Sequence, residues 1–291
     1  MNDEILTAYC EAGKVASRIL DEGRSMVKVG APYLEVVEAI EARVTEEGLM
    51  LAFPLNLSLN EDAAHDTASG GDARTFKSGD LAKLDLGVAL DGYIADTACS
   101  IDLGSHDLLV EASSRALSAA IEKVRPGVPV GEIGGAIYKE ITDLGFRPIA
   151  NLTGHGLDRF VIHKPPNIPN IPLPHSTPIE EGMVFAIEPF ATTGSGFVTE
   201  RRRTEIFQQV AEKPVRVGSA RLLMEEIRTR NGLPFAKRWF QVKKTDIGLT
   251  TLQRTGAIRS YPVLSDTPGS FVSQAEHTVI VTDTGCIVTT R

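Results

Sequence analysis

The chain has 291 residues, enough for one large domain or two ordinary ones with a substantial buried core. Hydrophobic residues make up 42% of it and charged residues 23%, the proportions of a soluble globular protein. Thirty Lys and Arg stand against 38 Asp and Glu, and the resulting net charge of −8 excludes nucleic acid as the main partner. The one basic run, Arg201-Arg202-Arg203, is expected to be a solvated loop. Cys10, Cys99 and Cys286 lie far apart and form neither a disulfide framework nor a metal spacing, which points to a reducing, cytoplasmic compartment. The chain opens with acidic residues and no long apolar run, so neither a signal peptide nor a membrane span is expected.

Residues 3 to 24 place Ile5, Tyr9, Ala12, Ala16 and Ile19 at helical spacing, and a second helix is predicted over about 33 to 48, between Pro32 and Gly48. An extended segment, LMLAFPLNLSLNEDAAHDTASG, then leads to His65. The stretch LAKLDLGVALDGYIADTACSIDL (81 to 103) predicts a β-hairpin turning at Asp91-Gly92. In that register Gly87 lies opposite Asp96 and Asp85 opposite Ala98, so all four share one face. The two carboxylates are then diagonal neighbours about 7 Å apart, with only a glycine and an alanine between them. On the hairpin alone, a solvated pair of aspartates is as good a reading as a metal site.

Helices are predicted again at about 107 to 124 and 130 to 144. Sliding the chain by 97 residues aligns VKVGAPYLEVVEAIEARVTEEGL (27 to 49) with VRPGVPVGEIGGAIYKEITDLGF (124 to 146), with eight identities in 23 positions. This predicts an internal duplication, two halves each built as helix, helix and antiparallel strands, with a site between them. The second half supplies strand-like runs at 149 to 172 and 182 to 192 and a final hairpin around Asp283-Thr284-Gly285. Between these, residues 197 to 262 are expected to form a helical insertion subdomain within a single domain spanning 1 to 291. Its helices are predicted in SARLLMEEIRTRNG, FAKRWF and TDIGLTTLQRTGAI.

Five side chains in or beside strand-like runs remain: Asp85, Asp96, His155, Glu188 and Glu276. Each alone has an ordinary structural explanation, a salt-bridged glutamate or a hydrogen-bonded core histidine. Three of them, in LDLG, AIEPF and QAEHT, interrupt apolar runs where a carboxylate is costly without a partner, and all five together are harder to explain that way. Four negative charges match two divalent cations, and oxygen donors with one imidazole suit Mn(II), Fe(II), Co(II) or Zn(II). His155 lies between Gly154 and Gly156, which leaves room for close approach.

The order Asp-(ten residues)-Asp, GHG, EP and EHT resembles the dinuclear metallopeptidases of the pita-bread fold, and within them the type II methionine aminopeptidases in the short form without an N-terminal extension. FPLNLSLNEDAAH, DLGVALDGYIADTA, TGHGLDRFVIHKPP, AIEPFAT and QAEHT carry the resemblance along essentially the whole chain. It implies an α/β (α+β) fold with pseudo-twofold symmetry. It implies that Asp85, Asp96 and Glu276 hold one metal and that Asp96, His155, Glu188 and Glu276 hold the other. His65 and His163 would contact the peptide, and Phe53 and Ile162 would line the pocket for the methionine side chain. A water shared by two cations would attack, Glu188 would take or relay its proton, and His163 would help stabilise the oxyanion. The substrate would be the N-terminus of a nascent protein, the chain a monomer, and ribosome association is left open. One departure is visible: Ala68 stands where the family pattern has proline. The rival readings are a proline-directed aminopeptidase or prolidase with the same five ligands, and a non-catalytic binding relative. The separation of 88 positions from Glu188 to Glu276 favours the type II enzymes over the type I.

Overall fold

A computed structural model describes all 291 residues. Helix α1 (Asp3–Met26) starts where the Asn2 side chain accepts the Ile5 N–H at 2.9 Å, and α2 (Tyr33–Glu46) starts after Pro32. The chain continues through β1 (Met50–Leu51), β2 (Asn56–Leu59), β3 (Asp62–Ala64), β4 (Leu81–Leu90) and β5 (Tyr93–Asp102). Strands β4 and β5 pair in the expected register, Leu90 with Tyr93, Gly87 with Asp96 and Asp85 with Ala98. Asp91 and Gly92 both take positive φ (52° and 89°), the backbone a two-residue turn of this kind requires. Alternation along β4 then divides the strand. Leu84, Leu86 and Val88 join the core beneath α1 and α2, and Asp85 and Gly87 point the other way.

The second half begins with α3 (Asp107–Lys123), α4 (Val130–Asp143) and β6 (Arg147–Pro148). The bounds of α4 and β6 are those of α2 and β1 moved by 97 positions. The hydrogen bonds that end each helix repeat with them: Leu49 N–H to Val44 O and Phe146 N–H to Ile141 O are both 3.2 Å. The helix pairs cover cores of nearly equal size, 19 buried residues under the first and 20 under the second, so the duplication extends to packing.

Strands β7 (Thr153–Asp158), β8 (Val161–Pro169), β9 (Val184–Ile187) and β10 (Phe190–Thr192) follow. The next stretch runs through β11 (Thr199–Gln209), α5 (Gly218–Arg228), β12 (Phe235–Ala236), a 3-10 turn at Lys237–Trp239, α6 (Thr245–Arg254) and β13 (Ile258–Ser265). The chain ends with β14 (Val272–Gln274), β15 (Glu276–Val281) and β16 (Cys286–Val288). Nine strands form one antiparallel sheet in the order β1-β4-β5-β15-β9-β7-β8, with β2 on β4 and β16 on β15. A second sheet, β12-β11-β13-β3, stands beside it.

Residues 197 to 262 contain more strand than their local pattern predicts. Helices form in SARLLMEEIRTRNG and TDIGLTTLQRTGAI, but FAKRWF is a short strand with a 3-10 turn, and the arginine run expected in a loop lies on β11. The cause is pairing: β11 bonds to β12 and β13, distant partners that no local periodicity reports. Arg201 and Arg202 remain exposed, while Arg203 turns inward to Asp66 and Asp72.

Helix α1 also packs on the chain's end, where a Cβ at Gly13 would come within 2.0 Å of the Thr289 carbonyl oxygen. Helix propensity alone would make Gly13→Ala stabilising by about 1 kcal/mol. The backbone contact is expected to reverse the sign, to a loss of about 1–3 kcal/mol in urea unfolding.

Candidate metal centre

Five neighbouring strands each deliver one of the expected donors. Asp85 lies on β4, Asp96 on β5, Glu276 at the start of β15, Glu188 directly after β9 and His155 on β7, which follows the order of the strands in the sheet. Asp85 and Glu276 both face Ala98 across β5, so the small residue between them keeps the row open. Donor atoms of Asp96, His155 and Glu276 lie within 4.8 Å of one another. The His155 Nε2 is 3.8 Å from Asp96 Oδ2 and 3.7 Å from Glu188 Oε1. Asp85 is joined through Gln274, whose Nε2–H donates to Asp85 Oδ2 at 3.4 Å and to Glu276 Oε2 at 3.2 Å.

No lysine or arginine pairs with these carboxylates; His155 is the one basic side chain within 4 Å of them. Burial holds Asp96, Glu188 and Glu276 well above the usual carboxylate range, with mutual repulsion adding to it, and pushes Asp85 up to about 7. Burial also lowers His155 to about 4, so its imidazole is neutral at neutral pH and free to bind a cation. Asp85 Oδ1, Asp96 Oδ1 and His155 Nδ1 are buried with no hydrogen-bond partner. Unpaired buried oxygens cost free energy that a divalent cation would recover, so the donor set fits hard or borderline divalent metals. A thiolate site is excluded, because Cys10, Cys99 and Cys286 lie outside the cleft.

The remaining expected residues line the same cleft. Phe53, Ile162, His65 and His163 all border it. Gly87 lets Phe53 approach, since a Cβ there would lie 2.1 Å from the Phe53 ring. The glycines flanking His155 have a different use from the one expected. Their missing side chains make room for the Ala186 and Pro165 carbonyls of neighbouring chain, not for a ligand. His163 sits edge-on to His155 with ring centroids 4.3 Å apart. Desolvation and then His155 and His65 lower its pKa, although the residue as a whole stays exposed at the mouth. His65 has a left-handed backbone (φ 64°) and its ring meets Tyr261 at 5.1 Å.

Sequence reasoning missed Asn56, Gln274, Tyr261, Ile206 and Pro234. Asn56 and Gln274 carried a signal, as polar residues alternating with apolar ones in NLSLN and sitting two before the glutamate of QAEHT. Tyr261, Ile206 and Pro234 come from the 197 to 262 stretch and carry none, because only the second sheet brings them to the cleft.

Residues 8 to 283 match the family described as metallopeptidase family M24. The chain is 48% identical to a methionine aminopeptidase of Archaeoglobus fulgidus, over 100% of both proteins. It is 47% identical to one of Pyrococcus horikoshii, over 97% of this chain and 98% of that one. Among solved structures, the methionine aminopeptidase of Rickettsia prowazekii superposes with a TM-score of 0.75 at 21% identity, covering 100% of this chain and 98% of the other.

The pKa directions set a pH dependence for the metal-free protein. Carboxylates raised on folding stabilise the fold at low pH, and that contribution is lost as pH rises through about 7 for Asp85. A divalent cation replaces those protons. Mn(II) added to chelator-stripped protein is therefore expected to raise Tm, and by more at pH 8 than at pH 5; equal rises would count against carboxylate binding.

Proposed function

The chain belongs to metallopeptidase family M24, and from that premise we infer that it is a methionine aminopeptidase, a hydrolase that removes the N-terminal methionine from proteins and peptides. Near-half identity with methionine aminopeptidases along the whole chain favours this over the proline-directed alternative. The observation that carries the catalytic, metal-dependent part of this reading is the row of five donors, one per neighbouring strand, with buried oxygens that lack partners. A non-catalytic relative has no use for so costly an arrangement.

In the reading proposed, Asp85, Asp96 and Glu276 would hold one divalent cation, and Asp96, His155, Glu188 and Glu276 would hold a second. Mn(II), Fe(II), Co(II) and Zn(II) all suit these donors, and when bound they supply the Lewis acidity that lets water attack a peptide bond near neutral pH. Glu188 accepts the proton that the attacking water gives up and relays it to the leaving amine. His163, neutral because its surroundings disfavour the imidazolium, directs an N–H at the carbonyl oxygen as negative charge builds there. His65, braced by Tyr261, contacts the peptide from the other wall. Phe53 and Ile162 form an apolar slot suited to an unbranched, polarizable side chain.

The same reading makes the enzyme a cytoplasmic monomer acting on nascent chains, in keeping with three unpaired cysteines and with no helix long and apolar enough to cross a membrane. Residues 197 to 262 carry 14 Lys and Arg against six Asp and Glu in a chain of net charge −8, a local basic excess that supports ribosome association. Co-sedimentation with ribosomes that weakens as salt rises is the expected result, and no co-sedimentation at low salt would remove that part of the reading.

Asp96→Ala should leave the fold intact, by circular dichroism, and lower kcat/KM by at least about a thousandfold, equivalent to about 4 kcal/mol in the barrier. On a peptide panel, Met-Ala-Ser should be cleaved and Ala-Pro-Gly left intact. The opposite preference would overturn the methionine assignment.

A further inference from the structure

We propose that the buried Glu41–Arg238 pair is a positioning element for His65, restraining the loop that follows it through Thr67 and Ala68. The proposal rests on the aminopeptidase reading, in which His65 contacts the peptide.

Glu41 is 7% exposed, in the middle of the apolar stripe of α2, and the Arg238 side chain is 3% exposed. A pair so buried seldom repays its desolvation, so its presence on a helix face otherwise lined with aliphatic residues points to a role other than stability. Its contacts show which parts of the molecule it joins. Glu41 Oε1 accepts the Leu55 N–H at 3.1 Å and a bond from Arg238 Nη2, and Oε2 accepts Trp239 Nε1–H at 2.8 Å. Arg238 Nη1 donates to Thr67 Oγ1 at 3.1 Å and to the Ala68 carbonyl at 3.0 Å. One guanidinium therefore reaches three acceptors at once, which a lysine ammonium on a flexible stem cannot do in a fixed geometry.

The loop needs an external hold. His65 adopts φ 64°, uncommon for any residue with a side chain, and Asp66, Thr67 and Ala68 are all buried behind it. Arg74 and Arg203 secure its near part at the Asp66 carboxylate and the Thr67 carbonyl. Its far part, at Ala68, is held by Arg238. Alanine leaves the backbone at 68 free where a pyrrolidine ring would fix φ. The anchor is α2 through Glu41, so the loop is referenced to the helix that packs against α1 and β1. Arg238 does not border the cleft, which makes it a positioning residue and not a catalytic one.

The test is a cycle between the pair and His65. Glu41→Met combined with Arg238→Met replaces the ions with apolar chains of similar volume, a change that often preserves stability. The double variant is expected to keep its Tm and metal content and to lose roughly tenfold to a hundredfold in kcat/KM on Met-Ala-Ser, the scale of a displacement near 1 Å. In a His65→Ala background the same two changes should cost less than about threefold, since the group they position is gone. An equal loss in both backgrounds, or no loss with His65 present, overturns the proposal. Should the double variant not fold, Arg238→Lys, which keeps a cation beside Glu41, is carried through the same cycle with the same criteria. Failure of the unmodified enzyme to cleave Met-Ala-Ser with Mn(II) or Co(II) present would instead sink the aminopeptidase reading, a result distinguishable from either outcome of the cycle.

Discussion

Four carboxylates crowded onto adjacent strands repel one another, and much of the molecule serves to hold them together. Two like charges 4 Å apart cost on the order of 4 kcal/mol at the effective dielectric of a protein. Burial removes the water that would screen them. The two halves meet between β5 and β15, where only Ala98 with Glu276 and Thr97 with His277 are in register. Side-chain hydroxyls reinforce this junction. The Asp96 N–H donates to Thr278 Oγ1 at 2.8 Å, which donates back to the Asp96 carbonyl at 2.9 Å. Thr97 Oγ1 donates to the Glu276 carbonyl at 3.0 Å, and Ser100 Oγ to that of Gln274 at 2.8 Å. The threonine of the EHT run is thus part of the frame that keeps Asp96 and Glu276 side by side.

The duplication explains why the row can exist at all. Each half brings two helices that bury one face of its strands, leaving the other face free of packing demands. Joining the halves edge to edge at β5 and β15 then places donors from each half on one continuous sheet face. Neither half alone has the full set, since Asp85 and Asp96 come from the first and His155, Glu188 and Glu276 from the second. Residues 197 to 262 break the symmetry and close one side of the cleft, bringing Tyr261, Ile206 and Pro234 to its wall. The same stretch brings Arg238 into contact with α2 and the His65 loop, so it is tied to the duplicated core by a buried charge pair as well as by strand pairing.

Much of this was legible in the residues. Period-two alternation in LDLG and IADTA fixed which face Asp85 and Asp96 occupy, and Asp91-Gly92 fixed the register, because the turn leaves no freedom to slip. The two copies of the Gly-x-Pro-(helix)-Gly pattern set the helix bounds at matching offsets. In the insertion the same reasoning failed at β11. An arginine run flanked by polar residues has no local strand signature, and it lies within a strand only because the residues on either side of it, Thr199-Glu200 and Thr204 onward, pair with β13.

What the sequence determined by itself was therefore local: helix limits, the hairpin and its facing, the repeat, and a set of donor types whose charge called for divalent cations. Tertiary structure alone decided the order of strands across the sheet, and hence that five donors lie in one row. It also decided that the His155 glycines serve neighbouring backbone and that Gln274 links two of the acids. The physical reason is range. Alternation and turn chemistry act over a few residues, whereas edge-to-edge pairing of the two halves, and burial of an ion pair nearly two hundred positions apart in the chain, depend on contacts no short window contains.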